Sequence, residues 1–498
     1  MFNLNKRFFY DLMFGNGPTI PYLRRGDGAL FDDGLTMGTF ILGKQGSGKT
    51  TYLASHLVDC MKRHPGRAIF VLDWSGSISN IILEMIAREP WEERERLLSR
   101  VVYDELGHPE LVVPLPEFSH IYGIPFDNQI TRVQQNWERL AAFLVQGATL
   151  LGGVAYQGLA PGIFKVLTSI GEYQWDIWQV TEFSRFIDQP KKWLPPIFKK
   201  YNAKIPDRIK DMLLKRLVNV KGDEGELRTY ALTQIMSAVE SPYAYPRLGY
   251  SVPGWTPREA IRNGYLVLVN GQRLIKQDAV QHYLFSQIFS LIMEEVSLRD
   301  PSMGGYEPVK IVLDEVLTFQ QNPGMANELS RISPQYRSRK VELYVAAQGL
   351  WQFDDTLKDA IWNLGNVVCF AVEHEEEAEM VAKQLLRYEP RMEKLPAVTA
   401  RQNPTTEPDH GQYKIYANWI QNLRDRECII RRYWKERQKD PWISHVLKTA
   451  EVGNGEPGES VQRVKERLLK ERGKPINEIM QAINNRGLPK EEVKVETV

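Results

Sequence analysis

One eight-residue stretch restricts the fold of this chain more than any other: Gly43-Lys44-Gln45-Gly46-Ser47-Gly48-Lys49-Thr50. It has Gly, four free positions and then Gly-Lys-Thr, the pattern of a phosphate-binding loop. The glycines let the backbone curl so that successive N–H groups point at one anion. Lys49 supplies a point charge for terminal phosphates, and the Thr50 hydroxyl suits Mg²⁺; Thr51 follows on the same phosphate-facing turn. The neighbours agree with this reading. Thr39 to Leu42 is a short apolar run of strand type, and Leu53, Leu57 and Met61 recur every four residues as on one helix face. Lys62-Arg63-His64 and then Pro65-Gly66 predict where that helix stops. A strand, a phosphate loop and a helix predict an α/β fold with the positive helix end aimed at the anion.

The strands expected of such a fold follow. Ala68 to Leu72 is an uninterrupted apolar run, as in strands covered on both faces, and it ends at Asp73. At that position Asp73 is either a ligand at the carboxyl end of a strand or the cap of the helix expected over 77–99. Further strands are expected at 100–104, 264–270, 309–313, 341–347 and 366–372. Val309 to Leu313 runs into Asp314-Glu315, the partner a phosphate loop requires: one acid for the Mg²⁺ shell, the next to orient or deprotonate the attacking water. Gln348, at the end of the 341–347 strand, is placed to sense the γ-phosphate or the water, or to satisfy loop backbone. Arg337 and Arg339, just before that strand, are candidate arginine fingers acting in cis or on a neighbour's nucleotide, or ordinary surface ion pairs.

The rest of the chain bounds the setting. With 498 residues it holds more than one domain. Lys plus Arg number 63 against 62 for Asp plus Glu, a formal charge of +1, so any nucleic-acid contact must come from local patches. Residues 191–217 are such a patch, with nine Lys/Arg and two Asp around Trp193, Phe198 and Tyr201; Arg431 to Arg437 form a second. Each reads either as a DNA contact or as a solvated helix face over core aromatics. The three cysteines, Cys60, Cys369 and Cys428, are far apart and suggest a reducing interior. The uncharged run between Arg139 and Lys165 contains Gln146, Gln157, Pro161 and five glycines, so buried helices are expected there and no integral membrane span. His374 lies among glutamates, but the spacing is that of an acidic first helix turn, not of a metal clamp.

The order of these motifs resembles the HerA/FtsK superfamily of ring-forming DNA motors, and within it the type IV secretion coupling and conjugation ATPases. The residues carrying the resemblance are the GKQGSGKT loop, the strand ending at Asp73, the long helical stretch after it, the VLDE strand, and the run from Arg339-Lys340 to Gln348. The resemblance implies a RecA-like P-loop NTPase core, a mostly parallel sheet flanked by helices. It implies ATP and Mg²⁺ as cofactors, a homo-oligomer of six with nucleotide between subunits, and translocation of single- or double-stranded DNA. By position, Lys49 and Thr50 would bind phosphate and metal, Asp314 would hold metal, Glu315 would activate water, Gln348 would sense phosphate, and Arg339 would be the finger. A secretion or DNA-processing protein is an expected partner, and the location is expected to be cytoplasmic, peripheral to a membrane complex. The implied domains are a first core part at 1–124, an all-helical insert at 125–249, a second core part at 250–452, and a charged helical tail at 453–498. Alternatives are an ATPase that powers assembly or protein secretion in such an apparatus, and a nucleotide switch or scaffold with little turnover. The adjacent acids Asp314 and Glu315 argue against the switch, which could do without the second.

Overall fold

The structure is a computed structural model. It describes residues 24–25, 38–116, 240–276, 278–300, 305–315, 337–351, 353, 355–386, 409–431, 433–434, 437–438, 442–445 and 459–485, with residue 302 and scattered positions between 189 and 215. The uncharged run at 139–165 lies outside the described residues, as do Trp193, Tyr201 and four of the nine Lys/Arg of the basic patch at 191–217.

In chain order the first elements are β1 (Arg24–Arg25), β2 (Thr39–Leu42), α1 (Lys49–Arg63), β3 (Ala68–Asp73), α2 (Ser77–Ala87), α3 (Trp91–Leu98), β4 (Val101–Glu105) and β5 (Leu111–Val112). After the long segment come α4 (Ala244–Gly249), α5 (Pro257–Asn263), β6 (Leu266–Asn270), α6 (Asp278–Ser297), β7 (Val309–Leu313), β8 (Val341–Ala347), α7 (Asp355–Trp362), β9 (Asn366–Cys369) and α8 (Glu375–Leu385). The last are α9 (Asp409–Gln421), β10 (Glu427–Arg431), β11 (Tyr433–Trp434), β12 (Arg437–Gln438), β13 (Trp442–His445), α10 (Val461–Arg472), β14 (Lys474–Pro475) and α11 (Ile476–Asn485). The strands expected from continuous apolar runs are present within a residue or a few at each end. The helix expected over 77–99 is two helices, because Pro90 cannot donate an intrahelical bond and α3 restarts at Trp91.

Ten of the described strands form one sheet in the order β1-β13-β10-β9-β2-β8-β7-β3-β6-β4. From β9 to β4 every neighbouring pair is parallel, and β10 adds antiparallel to β9. Strands β2, β3, β6, β7, β8 and β9 are buried along their whole length, which is why their sequences run apolar without alternation. One polar cluster interrupts this core. Lys310 and Glu342 face each other in register on β7 and β8 and form a fully buried ion pair. Lys310 also donates to the Tyr344 hydroxyl at 2.9 Å, which in turn meets Nε2 of His56 on α1 at 2.9 Å. These bonds tie the helix after the phosphate loop to β8, the neighbour of β2, and to β7 beyond it.

The segment between β5 and α4 leaves and re-enters the core at one place. The N–H of Leu115 donates to the Arg247 carbonyl at 3.1 Å. The Arg247 guanidinium grips both oxygens of buried Asp104 on β4 at 2.8 Å each, and the Trp255 indole N–H donates to the same carboxylate at 3.0 Å. The charged C-terminal stretch, open in sequence as an appended domain or a docking tail, lies against the core. Helix α10 packs on β4 and α2, burying Val464, Leu468 and Leu469, so the terminal strand of the sheet is covered. Strand β14 pairs antiparallel with β5, and Ile479 and Ile483 of α11 pack on Val112.

Candidate functional site

The phosphate loop connects β2 to α1 at the carboxyl edge of the parallel strands, the edge at which open α/β sheets bind ligands. It is fastened on both sides. The Gly43 N–H donates to the Ala347 carbonyl of β8 at 3.3 Å, and the Lys44 N–H donates to the Ala371 carbonyl just after β9 at 2.7 Å. A β-carbon at Gly43 would fall 2.6 Å from the Phe370 Cβ, so only glycine passes. Gly48 precedes α1 in the left-handed region, with φ 105°. Lys49 folds back over the loop and donates to the carbonyls of Gly43 at 2.5 Å and Lys44 at 2.9 Å. The hydroxyl of Ser47 is buried and meets no hydrogen-bond partner among the described residues.

The acids arrive from two strands on one side of the loop. Asp314 directly follows β7, and its N–H donates to the Leu72 carbonyl of β3 at 3.2 Å. Its carboxylate is buried and accepts a long 3.5 Å bond from the Ser75 hydroxyl. Burial, followed by the charges of Asp73 and Glu315, pushes the Asp314 carboxyl up to about 7, against the pull of Lys49. Burial also brings the Lys49 ammonium down to about 8, and Asp314 and Glu315 oppose that shift. An ion pair in water would move both groups the other way. Here desolvation outweighs attraction for acid and base alike, so the site is short of countercharge. Glu315 sits at φ 55°, a left-handed backbone that a residue with a β-carbon rarely adopts.

Asp73 takes the cap rather than the ligand position. Its two oxygens accept the N–H groups of Gly76 at 2.8 Å and Ser79 at 2.7 Å, at the start of α2. Its carboxyl is raised by burial in spite of those bonds, and the Glu315 charge adds to the shift. It therefore acts on the site through its field. The pocket fits a divalent cation: a buried carboxylate beside two others, with only a weak hydroxyl contact, has more negative charge than its surroundings neutralise. Among the described residues no group of three or more His, Cys, Asp and Glu is placed to hold a metal. The fitting ion is one that protein binds through a single carboxylate and a hydroxyl while phosphate and water complete the shell, which is the habit of Mg²⁺. Asp314 and Thr50 are the residues that would hold it.

Gln348 is exposed directly after Ala347, the residue whose carbonyl holds Gly43, so it stands beside the loop. Behind it the Leu350 N–H donates to the carboxylate of Glu377 on α8, which fixes the turn that carries the amide. Arg337 and Arg339 stand elsewhere. They form a 3₁₀ turn before β8, at the amino edge of the sheet, where the Arg339 carbonyl accepts from Arg299 at 3.1 Å. The seven residues of β8, from Val341 to Ala347, separate Arg339 from the loop, about 23 Å at roughly 3.3 Å per residue. Neither arginine reaches its own subunit's loop, so only the trans arrangement of the two expected from sequence is compatible with the geometry. Of the second basic cluster, Arg431 is buried and donates to the Gln384 carbonyl at 2.6 Å, a packing role. Sequence reading missed Ser75, Glu377 and Arg426. Only Ser75, two residues past a strand-ending acid, had a local signal; the other two reach the site across long chain separations.

No protein-family model matches the sequence, and no curated protein matches it. Solved structures do match. The bacterial conjugative coupling protein TrwB, lacking its first 70 residues and in an unbound form, is 12% identical over 86% of this chain and 88% of that one, with a TM-score of 0.50. The plasmid coupling protein TrwB in complex with the non-hydrolysable GTP analogue GDPNP gives the same identity and coverage with a TM-score of 0.51. VirB4 of Thermoanaerobacter pseudethanolicus is 14% identical over 82% of this chain and 89% of that one, with a TM-score of 0.47. The chain thus has the fold of TrwB: a RecA-like core with the phosphate loop on the carboxyl edge of a mostly parallel sheet.

Proposed function

We propose that this chain is a Mg²⁺-dependent ATPase that works as a ring, and one observation carries the reading: Lys49 and the acids Asp314 and Glu315, far apart in sequence, lie close enough to act on one another's charge at the phosphate loop. The likeness in fold to a conjugative coupling protein, solved with a nucleotide analogue, directs the reading toward DNA transfer. In this reading the loop N–H groups and Lys49 bind the triphosphate. Bound Mg²⁺ would neutralise charge on the phosphates, held by Asp314 and the Thr50 hydroxyl. Glu315 orients the attacking water and takes its proton. Gln348 senses the γ-phosphate from the tip of β8. Arg337 and Arg339, on the far edge, complete a neighbour's site, which makes hydrolysis depend on assembly. The segment between β5 and α4 brings its basic and aromatic residues to DNA.

The test is the ATPase rate of the full chain with single-stranded DNA, duplex DNA and neither, alongside a mass measurement with nucleotide present. Expected are stimulation by one DNA form and a hexamer. Lys49→Ala and Glu315→Gln are each expected to lower turnover by about 10²-fold or more with the fold intact. Turnover indifferent to every DNA form, but raised by a protein of the secretion apparatus, would transfer the motor's work from DNA to protein.

A further inference from the structure

The phosphate loop has a second neighbour of positive charge that its own motif does not contain. Between α9 and β10 the chain turns at residues 424–427. The Glu427 N–H donates to the Arg424 carbonyl at 2.9 Å, and the Glu427 carboxylate accepts the Arg424 N–H at 3.2 Å. Arg426 is the third residue of this turn, with φ 67°. A turn that needs a left-handed third residue ordinarily places glycine or asparagine there. The turn also rests on the loop. The Arg426 N–H donates to the Ser47 carbonyl at 2.9 Å. A β-carbon on Gly48 would lie 3.1 Å from the Arg426 Cα and 2.9 Å from its Cγ, so the stem of the arginine runs along the last glycine before Lys49.

We propose that Arg426 binds the phosphates of the nucleotide held by its own subunit's loop. The proposal rests on the nucleotide-binding reading above and adds a residue to it. The acids Asp314 and Glu315 approach the loop from the β7 side, whereas Arg426 approaches from the β10 side, across β9. An anion in the loop would then have Lys49 and the acids on one flank and the Arg426 side chain, whose stem runs along Gly48, on the other. The guanidinium is permanently charged and has donors in a fork that matches phosphate oxygens. Strain at a residue with a large side chain, at the one place where that side chain lines a phosphate loop, is the pattern of a backbone held for function. Arg337 and Arg339 are on the opposite edge, so Arg426 supplies in cis what they do not.

The experiment uses the full chain with Arg426→Gly, Arg426→Lys and Lys49→Ala. Arg426→Gly keeps the left-handed backbone and the N–H to Ser47 and removes only the side chain. The readouts are affinity for MgATP and MgADP at low and high salt, competition by inorganic tripolyphosphate, rescue by added guanidinium ion, and the melting temperature without nucleotide. Expected for Arg426→Gly is about tenfold weaker binding of both nucleotides and of tripolyphosphate, the scale of one charge-assisted hydrogen bond. A flatter salt dependence, partial rescue by guanidinium and by Arg426→Lys, and a melting temperature no lower than that of the wild type are expected with it. Lys49-dependent nucleotide binding that stays within about twofold in Arg426→Gly overturns the role of Arg426 alone. Weaker ATP binding with unchanged tripolyphosphate competition overturns the phosphate assignment. No nucleotide binding by the wild type overturns the reading on which it rests.

Discussion

Two buried aspartates at the same edge of the sheet have opposite surroundings. Asp104, at the end of β4, is fully enclosed and satisfied by both nitrogens of the Arg247 fork and by the Trp255 indole. Asp314, at the end of β7, is nearly as enclosed and has two further acids for neighbours and one long hydroxyl contact. The difference separates structure from chemistry. A buried charge with its full set of partners locks chain segments together, here the two ends of the long segment between β5 and α4. A buried charge among like charges is a cost to the fold that a bound cation would relieve.

Removing a partner breaks the comparison on the Asp104 side. Arg247→Ala leaves a buried carboxylate uncompensated and is expected to cost about 3–5 kcal/mol in urea unfolding, with the double change Arg247→Met and Asp104→Leu recovering most of it. On the Asp314 side the sign reverses. Asp314→Asn removes like-charge repulsion and is expected to stabilise the nucleotide-free protein, by on the order of 2 kcal/mol near neutral pH, while abolishing Mg²⁺-dependent hydrolysis. The pH dependence follows. The Asp314 carboxyl is raised to about 7 in the folded state, so its contribution is full below the ordinary carboxylate range and is lost as pH rises through about 7. Melting of the nucleotide-free protein against pH should show that decline, and Asp314→Asn or saturating MgATP should flatten it. The smallest effect is expected at the surface. Arg467 on α10 meets Glu95 at 3.3 Å with both side chains about a third exposed, and Arg467→Ala should change stability by less than ~1 kcal/mol.

Much of the core was legible because its signals are local. A strand buried on both faces must be apolar at every position, and the runs at Ala68, Val309 and Val341 met that condition without help from neighbours. The loop from Gly43 to Thr50 was legible because curling a backbone around phosphate needs those residue types at that spacing. The break at Pro90 is also a local signal, which the single helix expected over 77–99 left out. What was not legible depends on direction and on distant contact. Arg337 and Arg339 precede β8 by a few residues, so nearness in sequence to Gln348 suggested nearness to the nucleotide; the length of an extended strand places them at the far edge. Arg426 gave no motif, since its relation to the loop is a hydrogen bond to Ser47 across almost the whole core.

By itself the sequence determined the loop between β2 and α1, the buried strands of the core and the acids that follow β7, because each depends on residue types at short spacing. Tertiary structure alone decided that Asp73 caps a helix, that Asp104 is satisfied while Asp314 is not, and that α10 covers β4. Those outcomes are set by which side chains meet after the chain has closed, and burial gives one carboxylate its partners and another its excess of like charge.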